Sequence, residues 1–376
     1  MAGSSMKIAQ VTYSTRPRGG VVHTLALSEA LAARGHDVEV WTLGRGDDTT
    51  FFREVDPRVR VRVVPFPAVE GEPVGERIER SIAAMAGAFS TDADVLHAQD
   101  CISANAIVAA GRSCIRTIHH LDVFTTPRLI ECHERAIHDP IARICVSRAV
   151  AAEVAELYGY RPTVIANGVD AARFAAAAGA DGATRRAAWQ RQLGDYVLAL
   201  GGIEPRKGSI DLLEAFALWR TARPQLQLVF GGGETLFDYR PYREEFDRRA
   251  AELGVQPVLL GTLPDEDVPS LVAAAQVLGF VSTKEGFGLA AMEALAAGTP
   301  VVARDLPVVR EVFADAVAYA RDVRGIAAGI ERATDPLTAP DPAVGMRLAS
   351  SFTWDAAAHA HEAFYRALLA SGDAPR

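Results

Sequence analysis

Apolar residues along this chain come in short bounded runs, and the runs alternate with segments whose apolar positions recur every three or four residues. The first pattern predicts buried strands and the second amphipathic helices. KIAQVTYS (7–14) reads as a strand, followed by a helix from about Gly20 to Ala33 that stops at Arg34-Gly35. DVEVWTLG (37–44) and VRVRVVPF (59–66) follow, then an amphipathic stretch near 76–89. DVLHAQ (94–99), CIRTIHH (114–120), ARICVS (142–147) and TVIAN (163–167) continue the strand series, with helices between them. In VRVRVVPF, Arg60 and Arg62 alternate with Val59, Val61 and Val63, the pattern of an edge strand with one wet face.

An Ala/Gly-rich stretch, AAAAGADGA (175–183), breaks the series and reads as a linker. The alternation restarts with YVLALGG (196–202), LQLVFGGG (226–233), VQPVLLGTL (255–263), VLGFVST (277–283), TPVVA (299–303) and AVAYA (316–320). Two successive runs of this kind predict two parallel, doubly wound α/β sheets. The expected domains are 1–175 and 190–350. A last helix within 351–376 lies beyond its own sheet's strand series and is expected to pack back on the first domain.

Composition narrows the function classes. The 376 residues suffice for two domains with real cores, and 49% hydrophobic with 23% charged residues is a soluble globular balance. A net charge of −8 argues against a nucleic-acid partner, a local basic patch aside. No apolar run approaches the ~20 residues of a transmembrane helix, and the first residues lack the layout of a signal peptide. A cytoplasmic location is expected, with peripheral membrane contact left open. Cys101, Cys114, Cys132 and Cys145 form no CxxC pair and read as buried reduced thiols. Abundant Ala and Arg fit a GC-rich bacterial genome.

The chemistry concentrates in KEGFGLAAMEALAAGTPVVA (284–303). Glu285 follows a strand, Gly286 and Gly288 allow close backbone approach, and a helix begins near Leu289. Gly298 reads as the residue just past that helix. Strand, Gly-rich turn and helix N-terminus make an anion cradle flanked by a carboxylate, suited to a phosphate with hydroxyls nearby, as in a nucleotide sugar. On one helix Glu285 and Glu293 would stand ~12 Å apart along the axis. A glycosidase pair needs about 5–9.5 Å, so these two suit different parts of one long ligand.

Ligands of open α/β sheets bind outside the carboxyl ends of the strands, and four loops there hold the unusual polar residues. In RPRGG (16–20), Gly19 and Gly20 can offer backbone N–H groups to an anion, although the spacing is not GxGxxG and a plain tight turn fits as well. In GGIEPRKGS (201–209), Arg206 and Lys207 precede a helix starting near Ser209, and Lys207 can neutralise a diphosphate leaving group. In TIHHLD (117–122), His119 alternates with Thr117 and is the histidine aimed into the site. His120, Asp122, Cys132, His133 and His138 do not have structural zinc spacing. Asp92-Ala93-Asp94 precedes a strand, and Asp265-Glu266-Asp267 reads as helix N-terminal charge. No metal site is expected.

With these residues in hand, the chain resembles the family 4 retaining glycosyltransferases of GT-B architecture (glycosyl transferases group 1) over nearly its whole length. The resemblance rests on GG with LALSEALAARGHDVEV (25–40), the histidine of TIHH, VS (146–147), NGVD (167–170), RKG (206–208), LGTLPDED (260–267) and the E-x7-E of EGFGLAAME (285–293). It implies two Rossmann-like domains facing across a cleft, the first on the acceptor side and the second on the nucleotide-sugar side. It further implies a hexosyltransferase-like retaining enzyme that needs no metal and no cofactor. Lys207 matches the lysine on the donor diphosphate, Glu293 the glutamate near the ribose, and Glu285 the one near the transferred sugar. Gly286, Phe287, Gly288 and Leu289 match the phosphate-contacting turn, Gly20 the loop closing over the phosphates, and His119 the histidine near donor sugar and acceptor. Many members carry an arginine where this chain has Gly202, and whether Arg206 substitutes for it is not written in the sequence. The alternatives are a non-catalytic nucleotide- or sugar-binding protein of the same architecture, or a sugar-nucleotide epimerase or phosphorylase. Donor base, donor sugar, acceptor and oligomeric state are not written in these motifs.

Overall fold

The computed structural model describes residues 4–220, 223–233, 239–335 and 337–371. They form two compact units. One comprises the chain up to Gly168 together with the segment from Trp354 onward, and the other runs from Val169 to Thr353.

The first unit holds β1 (Lys7–Val11), β2 (Asp37–Arg45), β3 (Val59–Phe66), β4 (Val95–Ala98), β5 (Ile115–Ile118), β6 (Ala142–Cys145) and β7 (Thr163–Val164). They lie in the order β3-β2-β1-β4-β5-β6-β7, every pair parallel. The chain winds outward from β1 to β3 and then the other way from β4, so the order reverses between β1 and β4. The crevice outside the strand ends at such a reversal is where doubly wound folds bind ligands. As its alternation predicts, β3 is an edge strand, with Arg60 and Arg62 exposed.

The second unit holds β8 (Tyr196–Leu200), β9 (Gln227–Gly231), β10 (Val258–Gly261), β11 (Val277–Phe280), β12 (Val301–Arg304) and β13 (Ala318–Ala320). Their order, β10-β9-β8-β11-β12-β13, is again wholly parallel and reverses between β8 and β11.

Both faces of each sheet are covered, which is why the strands read as continuous apolar runs. On one face of the first sheet Ile8, Val38, Val95 and Ile115 meet Leu25 and Leu31 of the Gly19–Ala33 helix and Tyr365 of the Trp354–Ala370 helix. On the other, Ala9, Val11 and Leu96 meet Met85, Ala104 and Ile107. In the second unit Val197, Leu228 and Val277 pack with Phe216, Phe246 and Ile330.

The stretch 175–183 is not a linker. It lies in two helices, Ala171–Ala178 and Ala183–Leu193, joined by a short turn, and both pack against the Val268–Ala274 helix. Alanine is the best helix former, and Asp170 caps the first of the two by accepting from Arg173 N at 3.1 Å. The chain passes between units at Gly168-Val169, so the expected boundaries at 175 and 190 fall inside the second unit. The boundary at 350 falls inside the Pro342–Ser351 helix, and the last described helix is Trp354–Ala370, within the expected 351–376. Most of the strands are shorter than the apolar runs that predict them: only Lys7–Val11 forms in 7–14, Ile115–Ile118 in 114–120, Thr163–Val164 in 163–167, Val258–Gly261 in 255–263, and Ala318–Ala320 in 316–320.

Gly288, at φ 98°, turns the chain from β11 into the Leu289–Ala296 helix. A Cβ there would lie 2.9 Å from Phe280 Cζ and 3.0 Å from the Phe313 ring. Gly288→Ala is therefore expected to cost about 2–4 kcal/mol, from left-handed backbone strain plus overpacking. Urea unfolding followed by tryptophan fluorescence measures it, and a cost below about 0.5 kcal/mol would show that the turn has another conformation available.

Candidate active site

Two turns leave adjacent strands at the switch point of the second unit. After β8, Gly201 and Gly202 lead into a single 3-10 turn, Pro205–Lys207, then Gly208 at φ 65° and the Ser209–Arg220 helix. After β11, residues 281–288 lead into Leu289–Ala296. The turns are clipped together, since Thr283 N donates to Arg206 O at 2.8 Å. Only a glycine fits at 208, because a Cβ would sit 2.5 Å from the Val281 carbonyl oxygen.

This contact brings both cations onto Glu285. Lys207 Nζ lies 2.8 Å from Glu285 Oε1, and Arg206 Nη1 lies 3.4 Å from the same oxygen and 3.2 Å from Lys284 O. A small pocket beside them is lined by Gly201, Lys207, Phe280, Ser282 and Ala290. Burial alone would push the Glu285 carboxyl up. The Lys207 and Arg206 charges, with hydrogen bonds from Lys207 and Ser282, outweigh it and hold the group down at about 2. Glu285 is ionised at any ordinary pH.

Glu293 is the opposite case. It stands on the body of the helix, near Arg173, Asp170 and Asp265. Burial pushes it up to about 8, with Asp265 and Asp170 adding to the rise and Arg173 opposing it. Arg173 is itself engaged by Asp265 Oδ2 at 2.7 Å. At neutral pH Glu293 is thus mostly protonated and able to donate a hydrogen bond. One spacing motif holds two carboxyls of different charge, the arrangement that separates chemical roles within a site.

In the first unit the Gly19–Ala33 helix begins at the two glycines, and a Cβ at Gly20 would stand 3.7 Å from the His119 ring. Asp100 ties the loops after β1 and β4 by accepting from Tyr13 N at 3.0 Å and capping the Cys101–Ala109 helix through Ser103 N at 2.8 Å. His119 follows β5; its Nε2 is 3.2 Å from Gln99 Oε1, and its ring meets His23 edge-on at 4.8 Å. Burial first, then Arg116, keeps His119 well below the usual histidine range, so the ring is neutral. His120 pairs instead with Asp122 at 2.9 Å.

The structure therefore groups Gly20 with His119 in one unit, and Arg206, Lys207, Glu285 and the 286–289 turn in the other. Sequence reasoning missed Ser282 on Glu285, Arg173 with its carboxylates beside Glu293, and Gln99 on His119. Asp170 and Asn167 lie in the NGVD motif, and Asn167 Oδ1 stands 2.9 Å from His23 Nδ1. At Gly202 a Cβ would lie 2.6 Å from the Gly233 carbonyl oxygen, so the backbone leaves no room for a side chain there. Both Asp-x-Asp matches are structural: Asp92 pairs with Lys7, Asp94 accepts from Lys7 N at 2.8 Å, and Asp265 holds Arg173. Cys114, Cys132 and Cys145 are buried free thiols, and Cys101 is half-buried.

Residues 186–335 match the family model described as glycosyl transferases group 1, and residues 17–173 match glycosyltransferase family 4. A phosphatidyl-myo-inositol mannosyltransferase of Mycolicibacterium smegmatis is 32% identical over 335 residues, covering 82% of this chain and 79% of the relative. Among solved structures, sucrose-phosphate synthase from Thermosynechococcus elongatus has a TM-score of 0.77 at 22% identity, covering 97% of this chain and 100% of that one. Anabaena HepE in complex with UDP and glucose has a TM-score of 0.72 at 20% identity, covering 96% and 99%. No helix among the described residues is long and apolar enough to cross a membrane.

Glu293 predicts a pH-dependent stability. Its folded pKa of about 8 lies above the ordinary 4.5, so the folded protein binds the extra proton between those values. Stability from this group is complete below about 4.5 and is lost as pH rises through 8. Glu293→Gln is expected to gain about 1–3 kcal/mol over wild type at pH ~9 and to lose that gain at pH ~5. Urea melts at both pH values check it, and parallel curves would refute the raised pKa.

Proposed function

The chain belongs to the family 4 glycosyltransferases of GT-B fold, and from that premise we propose a retaining, metal-independent transfer of sugar from a nucleoside diphosphate sugar to an acceptor hydroxyl. One observation carries the reading: Lys207 and Arg206 gather on a largely buried, ionised Glu285 (side chain 10% exposed) beside a Gly-rich turn and a helix N-terminus at the second unit's switch point. That is the charge pattern a diphosphate next to a polar sugar requires. The relative that is a mannosyltransferase and the fold neighbour holding UDP and glucose support the same donor class.

In this mechanism the diphosphate lies against Lys207, Arg206 and the amides of 286–289. The acceptor hydroxyl oxygen bonds to the anomeric carbon as the bond from that carbon to the diphosphate oxygen breaks. The hydroxyl proton passes to the leaving phosphate, so attack and departure share one face and configuration is retained. Lys207, the turn amides and the positive end of the Leu289–Ala296 helix stabilise the charge that develops on the diphosphate. The two side-chain cations supply the positive charge that a metal ion would otherwise bring. Glu293, protonated, donates toward a ribose hydroxyl, and Glu285 accepts from the transferred sugar. His119 is the first unit's candidate for holding a substrate hydroxyl.

Lys207→Ala is expected to lower turnover by about ten- to a hundred-fold, the scale of one lost transition-state donor. Thermal melts with UDP, GDP, ADP and their sugar conjugates test binding at the same time. A ligand at ~100 times its dissociation constant adds about 2.7 kcal/mol. A shift with one nucleotide class that disappears in Lys207→Ala supports the proposal. A shift with free sugars or inorganic phosphate alone would replace it with a sugar-binding protein or a phosphorylase.

A further inference from the structure

Behind His119 the first unit contains a buried chain of hydrogen bonds. His119 Nε2 faces Gln99 Oε1 at 3.2 Å. Gln99 Nε2 donates to Gln10 Oε1 at 2.8 Å, and Gln10 Nε2 donates to Tyr365 Oη at 3.2 Å. Tyr365 Oη is 2.6 Å from His97 Nδ1, and His97 Nε2 is 2.7 Å from Thr117 Oγ1. Gln10, Gln99, His97, Thr117 and Tyr365 are no more than 2% exposed, so water does not compete for these groups.

The two amides give the chain a direction. An amide donates only from nitrogen and accepts only at oxygen. Gln99 donates to Gln10, which leaves its oxygen toward His119, so His119 Nε2 must carry the hydrogen. Tyr365 accepts from Gln10, and its single proton goes to His97 Nδ1. His97 then donates from Nε2 to Thr117. All five donations run one way, from His119 to Thr117. Reversal would require both glutamines to flip and three protons to move together.

We infer that this one-way chain holds His119 as the neutral Nε2–H tautomer, leaving Nδ1 to accept a substrate hydroxyl, with Gln99 and Tyr365 as positioning residues. A ring nitrogen's protonation is set by the bond its partner nitrogen makes, and here Nε2 is committed. Among the described residues Nδ1 has no hydrogen-bond partner. Tyr365 stands on the Trp354–Ala370 helix, so that helix orients the site as well as covering the sheet. The substrate hydroxyl rests on the transferase reading; the tautomer does not.

The test is the tautomer itself. Long-range 1H–15N correlation spectra of protein labelled with 15N-histidine, recorded at pH ~8 where free imidazole is neutral, distinguish the two forms. His119→Gln assigns the signal. Wild type is expected to show Nε2–H. Gln99→Leu and Tyr365→Phe are expected to give a mixture of tautomers, whereas Gln99→Glu, which keeps an acceptor for Nε2–H, retains it. Acceptor KM should rise about two- to tenfold in Gln99→Leu, the scale of one hydrogen bond, and recover in Gln99→Glu, with kcat changing less. If Tyr365→Phe fails to fold, the two Gln99 variants decide. Nδ1–H in wild type, or unchanged Nε2–H in Gln99→Leu, overturns the inference. Nε2–H in a protein that transfers no sugar would sustain the tautomer while removing the proposed function.

Discussion

A largely buried carboxylate shared by two cations joins the turns after β8 and β11, and the geometry of the candidate donor site follows from it. Taking an ion from water into a protein interior costs several kcal/mol unless it is paired and hydrogen-bonded. Glu285 meets both conditions through Lys207, Arg206 and Ser282. The pairing works only because Gly208 lets the turns touch and Gly288 lets the chain enter its helix without striking Phe280 and Phe313. The glycines are thus part of the electrostatics, since they set how close the charges come.

The same short helix carries a second glutamate in a different state. Glu285 sits among positive charges, and Glu293 sits by two aspartates with an arginine already engaged. Their separation along the chain says nothing of this. What differs is the set of groups brought in from elsewhere, above all Arg173 and Asp170 at the start of the second unit. The stretch 175–183, expected to be a linker, lies in helices, and the first of them carries Arg173 beside Glu293.

In the first unit the comparable constraint is polar satisfaction rather than charge. Five buried groups behind His119 find partners in sequence along one path, which passes through Tyr365 on the Trp354–Ala370 helix and returns to Thr117 on β5. Such a seam is costly if broken, because each buried group left without a partner keeps its desolvation penalty. It therefore fixes ring orientation more firmly than apolar packing would.

The strand series, both parallel sheets, the edge position of β3 and the turn glycines were legible in the sequence because each is a local pattern of burial and backbone freedom. So were Lys207, Glu285 and Glu293 as candidates, through their place after strand ends and their resemblance to known motifs. The passage between units at Gly168-Val169 was not, since an alanine run reads as loosely as a linker until packing makes it a helix. Nor were the charge states of the two glutamates, the backbone that excludes a side chain at Gly202, or the chain from His119 to Tyr365. Sequence by itself determined which elements form and where reactive side chains stand along them. Tertiary structure alone decided their protonation and their partners, because desolvation and hydrogen bonding depend on residues that meet only once the chain is folded.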